Sequence, residues 1–265
     1  MKPKIENEHS ANLMRVSLGI TGFESPASAY SQAPLSLHSL LIASPSAMSV
    51  TVAQEDDLAG KGIFKGDLMV VNQSLTPAMN DAVLCLYNGQ VICRLIDTHN
   101  NLLFQVLPDG QYVNEPIVSE MDDFKVLGVV PFCIRVHADP DNRFKDFDAE
   151  NRFFSELPYD LDDLVNINPV ATFIAKGSGH SMQNVGIFDG DLIFVDRALE
   201  AVNGSVVVCN CDGEFACKMI DLPNNLLLSA GGNHAPQSIN HFTNFSIEGV
   251  VAVSIRLLTP VPELM

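Results

Sequence analysis

At 265 residues, 47% hydrophobic and 18% charged, the chain has enough apolar material for two ordinary cores and is too apolar to stay disordered. Its 15 Lys and Arg against 32 Asp and Glu leave a formal charge of −17, which excludes a grip on a nucleic-acid backbone, where clustered cations must displace counterions. No apolar run approaches the roughly 20 residues that cross a bilayer, and Glu6 and Glu8 break the front of the chain before Leu18-Gly19-Ile20, so a cytoplasmic protein without membrane span or secretion signal is expected.

In chain order, Pro34 to Ile42 allows a short helical turn, and the apolar runs Leu68 to Val71, Ala82 to Tyr87, Gln90 to Ile96 and Leu102 to Val106 read as strands. His137 to Glu156 is charged and rich in aspartate, with Asp139-Pro140-Asp141 as a turn, and serves as a connector. A second short helical turn at Pro158 to Val165 precedes strands at Leu192 to Val195 and Val206 to Cys211. Asp212-Gly213 is a two-residue hairpin turn into a strand from Glu214 to Ile220, and Asn224-Asn225 separates that strand from Leu226 to Ser229. Short strands at this spacing imply mainly β domains, barrel-like or sandwich-like.

These elements occur twice. Residues 34–103 align without a gap onto 158–227, in the register set by Gly62 and Gly186: Gly62-Ile63-Phe64 and Gly66-Asp67-Leu68 return as Gly186-Ile187-Phe188 and Gly190-Asp191-Leu192. Near each end, Gly128-Val129-Val130 and Ile134-Arg135 return as Gly249-Val250-Val251 and Ile255-Arg256. A repeat this long is a domain rather than a solenoid unit. The expected organisation is an arm at 1–33, a first domain at 34–137, a linker at 138–157, a second domain at 158–258 and a tail at 259–265. The six cysteines form no C-x-x-C pair; Cys85 matches Cys209 and Cys93 matches Cys217 within apolar segments, so buried thiols are expected. Cys209 and Cys211 share one strand face, a poor geometry for chelation, and neither metal nor cofactor is expected.

The repeats differ where chemistry is possible. Gly177-Ser178-Gly179-His180-Ser181-Met182 runs into Gly186-Ile187-Phe188-Asp189-Gly190-Asp191, and Lys218 follows on the strand Asp212-Gly213-Glu214-Phe215-Ala216-Cys217-Lys218. A serine hydroxyl becomes a nucleophile when a base takes its proton, and a lysine is that base only when neutral. Strand alternation puts Ala216, Lys218 and Ile220 on one face, and burial among apolar flankers disfavours the ammonium. The first repeat has Asp57 in place of Ser181 and Arg94 in place of Lys218. A carboxylate is no acyl acceptor of the serine kind and arginine keeps its proton, so that copy is expected to be inactive. His180 adjoins Ser181 in sequence and is read as a loop histidine.

In these motifs, from Gly22 to Leu258, the chain resembles the UmuD and LexA family of self-cleaving serine proteins. Gly22-Phe23-Glu24-Ser25-Pro26-Ala27-Ser28-Ala29-Tyr30 is similar to the family segment that begins at the cleavage point. The resemblance implies two tandem β-clip domains packed as a pseudo-dimer. It also implies attack by Ser181 with Lys218 as base, an oxyanion held by the backbone N–H groups of His180 and Ser181, and a scissile bond between Thr21 and Gly22. The family usually carries cysteine or alanine before that glycine, and Thr21 departs from it. Lys145-Asp146-Phe147, aligned with Thr21-Gly22-Phe23, lacks the glycine, so the arm of the first domain is expected to enter the Ser181 site of the second.

By the same resemblance the chain is a DNA-damage (SOS) response protein that joins a UmuC-like Y-family translesion polymerase, with a RecA filament as cleavage trigger and without direct contact to nucleic acid. Only some twenty residues precede Gly22, too few for a three-helix DNA-binding domain, which disfavours a repressor. The alternative is a non-cleaving pseudo-dimer that regulates a polymerase subunit or a UmuD-like partner.

Overall fold

Runs dominated by Val, Ile, Leu and Phe, punctuated by Asn, Asp and Gly, form short strands that bury their apolar faces against one another. The computed structural model describes residues 14–17, 36–42, 44–116, 124–142, 144, 160–165, 168, 170–232 and 234–261. The first repeat contains α1 (Leu37–Leu41), β2 (Met48–Val52), β3 (Leu68–Asn72), β4 (Ala82–Tyr87), β5 (Gln90–Asp97), β6 (Leu102–Val106), β7 (Tyr112–Pro116) and β8 (Lys125–Val136). The second contains α2 (Leu161–Val165), β9 (Thr172–Ser178), β10 (Leu192–Asp196), β11 (Val206–Cys211), β12 (Glu214–Asp221), β13 (Leu226–Leu228), β14 (Gln237–Ser238) and β15 (Phe245–Leu257). Ahead of both lies β1 (Met14–Ser17).

The expected strands are present, four of the eight a residue longer, three with the expected bounds, and the strand from Leu226 a residue shorter. The Asp212-Gly213 hairpin has both residues at positive φ, 53° and 95°, as a tight turn of matching twist requires. Strands β1, β2, β7, β9 and β14 and the full length of β8 and β15 go beyond the sequence reading. Thr21, Gly22, residues 143 and 145–157 of the linker and residues 262–265 of the tail lie outside the described residues.

All strands join one curled sheet, and the two long strands explain how. The front half of β15 pairs with β11 inside its own repeat; its back half pairs antiparallel with the back half of β8, with Ile255 opposite Ile134. The front half of β8 likewise pairs with β4. Around this seam, Leu37, Met48, Phe132 and Ile134 of the first repeat pack with Leu161, Leu192, Phe194 and Ile255 of the second in one shared core. Phe144 of the connector is buried in the same cluster.

Contacts across the seam are exchanged reciprocally between equivalent residues of the two repeats. Arg135 binds Asp67 of its own repeat at 2.7 Å and stacks on Phe64, while its Nη1 donates to Val185 O of the other repeat. The equivalent Arg256 binds Asp191 at 2.9 Å and stacks on Phe188, while its Nε donates to Lys61 O. Gly62 and Gly186, both left-handed, leave room for these guanidinium groups; a Cβ on Gly186 would lie 1.8 Å from Arg135 Nη1. The helices trade caps in the same way: Leu37 N donates to Asp162 and Leu161 N to Nδ1 of His38, which aligns with Asp162.

Burial pushes the Asp191 carboxyl up to about 6 against the opposing pull of Arg256, so this ion pair holds a carboxylate that water would otherwise hold better. Arg256→Met strands that carboxylate in the interior and should cost about 3 kcal/mol of unfolding free energy at neutral pH. Urea denaturation measures it, and a loss below about 0.5 kcal/mol would place the pair among exposed, weak ones.

Candidate functional site

The site forms where β9 ends and β12 passes beneath it. Gly177, at the end of β9, is tied through N–H to Asp191 O and through C=O to Gly190 N, and Gly179 N–H donates to Asp189 Oδ1 at 2.8 Å. The chain then turns through Ser181 and drops the fully buried Met182 into the second repeat's own core. Val185 and Ile187 N–H both return to Met182 O, closing a 3-10 turn over Gln183–Val185. These bonds fix the Ser181 backbone from both sides.

Strand β12 carries Lys218, paired across the ladder with Val207. Its same-face flankers Ala216 and Ile220 are buried together with Val207 and Cys209. Lys218 is only 3% exposed, as is Ser181, and Lys218 Nζ lies 3.1 Å from Ser181 Oγ. Burial drives the amine below the ordinary lysine value, with the neighbouring thiols Cys217, Cys209 and Cys211 opposing it. Burial also pushes Cys217 up to about 12, so that neighbour is a protonated thiol at neutral pH.

A third group, which the sequence reading passed over, completes the cluster. Lys218 Nζ is also 3.1 Å from Ser229 Oγ, just beyond β13. The loop that follows packs directly under the nucleophile turn: Asn184 N–H donates to Ala230 O, and a Cβ on Gly231 would stand 2.8 Å from His180 O. The missed signal was a third difference between the repeats, since Ser229 aligns with Gln105. A neutral amine held by two hydroxyls can accept the proton of one while donating to the other. His180 is exposed, with Nδ1 against Gln183 Nε2 at 3.1 Å, as a loop histidine should be.

The first repeat fills the same place with an ion network. Arg94 Nη1 donates to Asp57, Arg94 Nε donates to Glu115 at 3.4 Å, and Gln105 donates to Glu115 at 3.0 Å. A permanently charged guanidinium clamped between carboxylates offers neither base nor nucleophile. The strand position equivalent to Glu115, opposite Leu103, is Gln237, opposite Leu227.

The arm reaches the second site. Strand β1 lies parallel to β9, from Met14 opposite Ala175 to Ser17 opposite Ser178, and Ser17 also faces Ala216 of β12. These are the only parallel pairings among the described residues. The backbone of Ser17 therefore sits between the strand that leads to Ser181 and the strand that carries Lys218.

Among the described residues, no group of three His, Cys, Asp or Glu side chains could hold a metal ion, and no helix is long and apolar enough to cross a membrane. The cysteines are free thiols, and burial holds Cys85 and Cys93 well above the usual thiol range. Because burying an amine works against folding, the similarly long, apolar variant Lys218→Met should raise stability by about 1 kcal/mol at neutral pH. Urea titration checks this, and a large destabilisation would mean that the amine is held by compensating charge.

Residues 12–131 and 144–252 each match the Peptidase S24-like family. The chain is 39% identical over 67 residues to Protein ImpA of Salmonella typhimurium, covering 25% of this chain and 46% of that protein. It is 33% identical over 96 residues to the LexA repressor of Xylella fastidiosa (36% of this chain, 46% of that one) and 36% identical over 104 residues to the LexA repressor of Pectobacterium carotovorum (38% and 51%). The chain thus spans about half the length of each of these relatives. With two matched regions that together take in most of its residues, the chain belongs to the Peptidase S24-like family, in tandem.

Proposed function

We propose that the chain is a self-cleaving peptidase whose second repeat cuts the arm of the first between Thr21 and Gly22. The observation that carries this reading is the 3.1 Å approach of a buried lysine amine to a buried serine hydroxyl, beside an arm strand already added to the same sheet. Neutral Lys218 takes the Ser181 proton as Oγ attacks the carbonyl carbon of Thr21, and the oxyanion is met by the backbone N–H groups of Ser181 and His180. The ammonium of Lys218 returns its proton to the Gly22 nitrogen as the C–N bond breaks, leaving an ester on Ser181. Water, deprotonated by the same amine, then releases Ser181. Ser229 positions the amine throughout.

The path of the arm supports the choice of bond. Strand β1 runs in the same direction as β9, which reaches Ser181 three residues after Ser178, and Thr21 follows Ser17 by four residues, a reach of roughly 13 Å when extended. Packed reciprocally, the repeats act as a UmuD-like homodimer fused into one polypeptide, in which one half presents the arm and the other half cuts it. On this reading the trimmed chain is an accessory subunit of a UmuC-like translesion polymerase, and a RecA filament favours the cleavage-competent pose. Its acidic charge suits contact with a protein partner rather than with DNA. Thr21 favours a second reading, a pseudo-dimeric regulator of a polymerase subunit or UmuD-like partner that does not cleave, because a β-branched residue crowds the carbonyl under attack.

Purified chain incubated across a pH series separates the two. Cleavage should quicken as pH rises, because only the neutral amine serves, and should level off below the ordinary lysine value of about 10.4. Mass spectrometry should show residues 1–21 released, with Ser181→Ala and Lys218→Arg both uncut and Thr21→Ala cut faster than the parent. An intact parent chain after prolonged alkaline incubation, with and without activated RecA, would leave the binding reading standing.

A further inference from the structure

The first repeat contains an open groove that is the counterpart of the slot occupied by β1 in the second. Its volume is about 810 Å³, and its walls include Thr51, Val52, Ala53 and Gln54 on one side and Ile92 on the other. In the repeat alignment these five positions are the equivalents of Ala175, Lys176, Gly177, Ser178 and Ala216, the residues that β1 pairs with. Leu58, Ile63, Met69, Leu84 and Leu127 form an apolar floor.

The groove presents backbone as well as volume. Ala53 N–H and C=O are both used on the inner side, by Asp67 O and Gly66 N. Strand alternation therefore turns the backbone groups of Val52 and Gln54 toward the groove. There the Gln54 side chain donates to Val52 O at 3.1 Å, as an added strand would. An edge of this kind recruits an extended segment by backbone pairing, with side-chain pockets giving selectivity.

We propose that this groove captures the N-terminal strand of a second copy of the chain, residues 14–17 with their flanks, as a parallel strand, and holds it uncut. The same segment already occupies the equivalent slot. Charge favours it over the chain's own linker: Glu55 and Asp57 line the groove with Asp56 beside them, residues 1–21 carry Lys2, Lys4 and Arg15 against Glu6 and Glu8 for a net +1, and linker residues 138–157 carry three Lys and Arg against six Asp and Glu for a net −3. A strand seated here ends against Asp57, which Arg94 holds, where the second repeat presents Ser181. The first repeat is then a receptor for arms in trans, linking one chain to the next. This inference concerns binding alone and stands independently of cleavage by Ser181.

The test uses the full chain carrying Ser181→Ala, so that nothing is cut, and a dye-labelled peptide of residues 10–21 bearing a benzophenone amino acid in place of Val16. Saturable binding with crosslinks mapped to residues 51–54 and 90–93 is expected. Glu55→Lys combined with Val91→Asp, two exposed positions, should weaken binding about tenfold. Crosslinks confined to residues 175–178 and 216, or no saturation below about 1 mM, would overturn the proposal. Sedimentation supplies a readout without peptide: the Ser181→Ala chain should self-associate with concentration, and deletion of residues 1–21 should abolish this. Peptide capture without self-association would overturn a second copy as the source of the strand.

Discussion

The cost of removing a lysine amine from water underlies the chemistry proposed for this chain. In water the amine keeps its proton far above neutral pH and is useless as a base. At position 218 it is nearly inaccessible, on a strand whose same-face neighbours are Ala216 and Ile220, and burial favours the neutral form. The surrounding architecture maintains that burial. Strand β15 pairs with both β11 and β10, the nucleophile turn is pinned by Met182, and the loop after β13 brings Ser229 to the amine.

The two repeats differ by few side chains at this position. They share turns, strands and a seam of reciprocal arginine contacts, so the scaffold is held constant while the chemistry differs. Replacing lysine by arginine fixes a positive charge, and Asp57 and Glu115 stabilise that charge in place. The first repeat keeps an open groove and contributes half of the shared core around Ile134 and Ile255. The arm shows the complementary asymmetry, since it belongs in sequence to the first repeat but lies between β9 and β12 of the second.

Much of this was legible in the sequence because it is local. The apolar runs at 82–87 and 206–211 and the Asp212-Gly213 turn read directly as strands and hairpin, and the constant register of the repeat aligned Ser181 and Lys218 with Asp57 and Arg94. Contacts between distant segments were less legible. Strand β1 is four residues long and becomes a strand only by pairing with residues far along the chain, so no local pattern marks it. The back halves of β8 and β15 read only as conserved ends of a repeat, because their pairing depends on the other copy. Ser229 carries no motif; it matters through the distance from its oxygen to an amine eleven residues away. The seam arginines were visible as a repeated Ile-Arg pair, but their exchange across the interface required coordinates.

The protonation of Lys218 can be followed directly by NMR on protein carrying labelled lysine side chains, titrated from neutral to alkaline pH. One amine should lose its proton well below the rest, at a pH that shifts when Ser229 is replaced by alanine and in a signal that vanishes in Lys218→Arg. If every lysine instead titrates together near about 10.4, the amine is not desolvated, and a serine beside it would have no base.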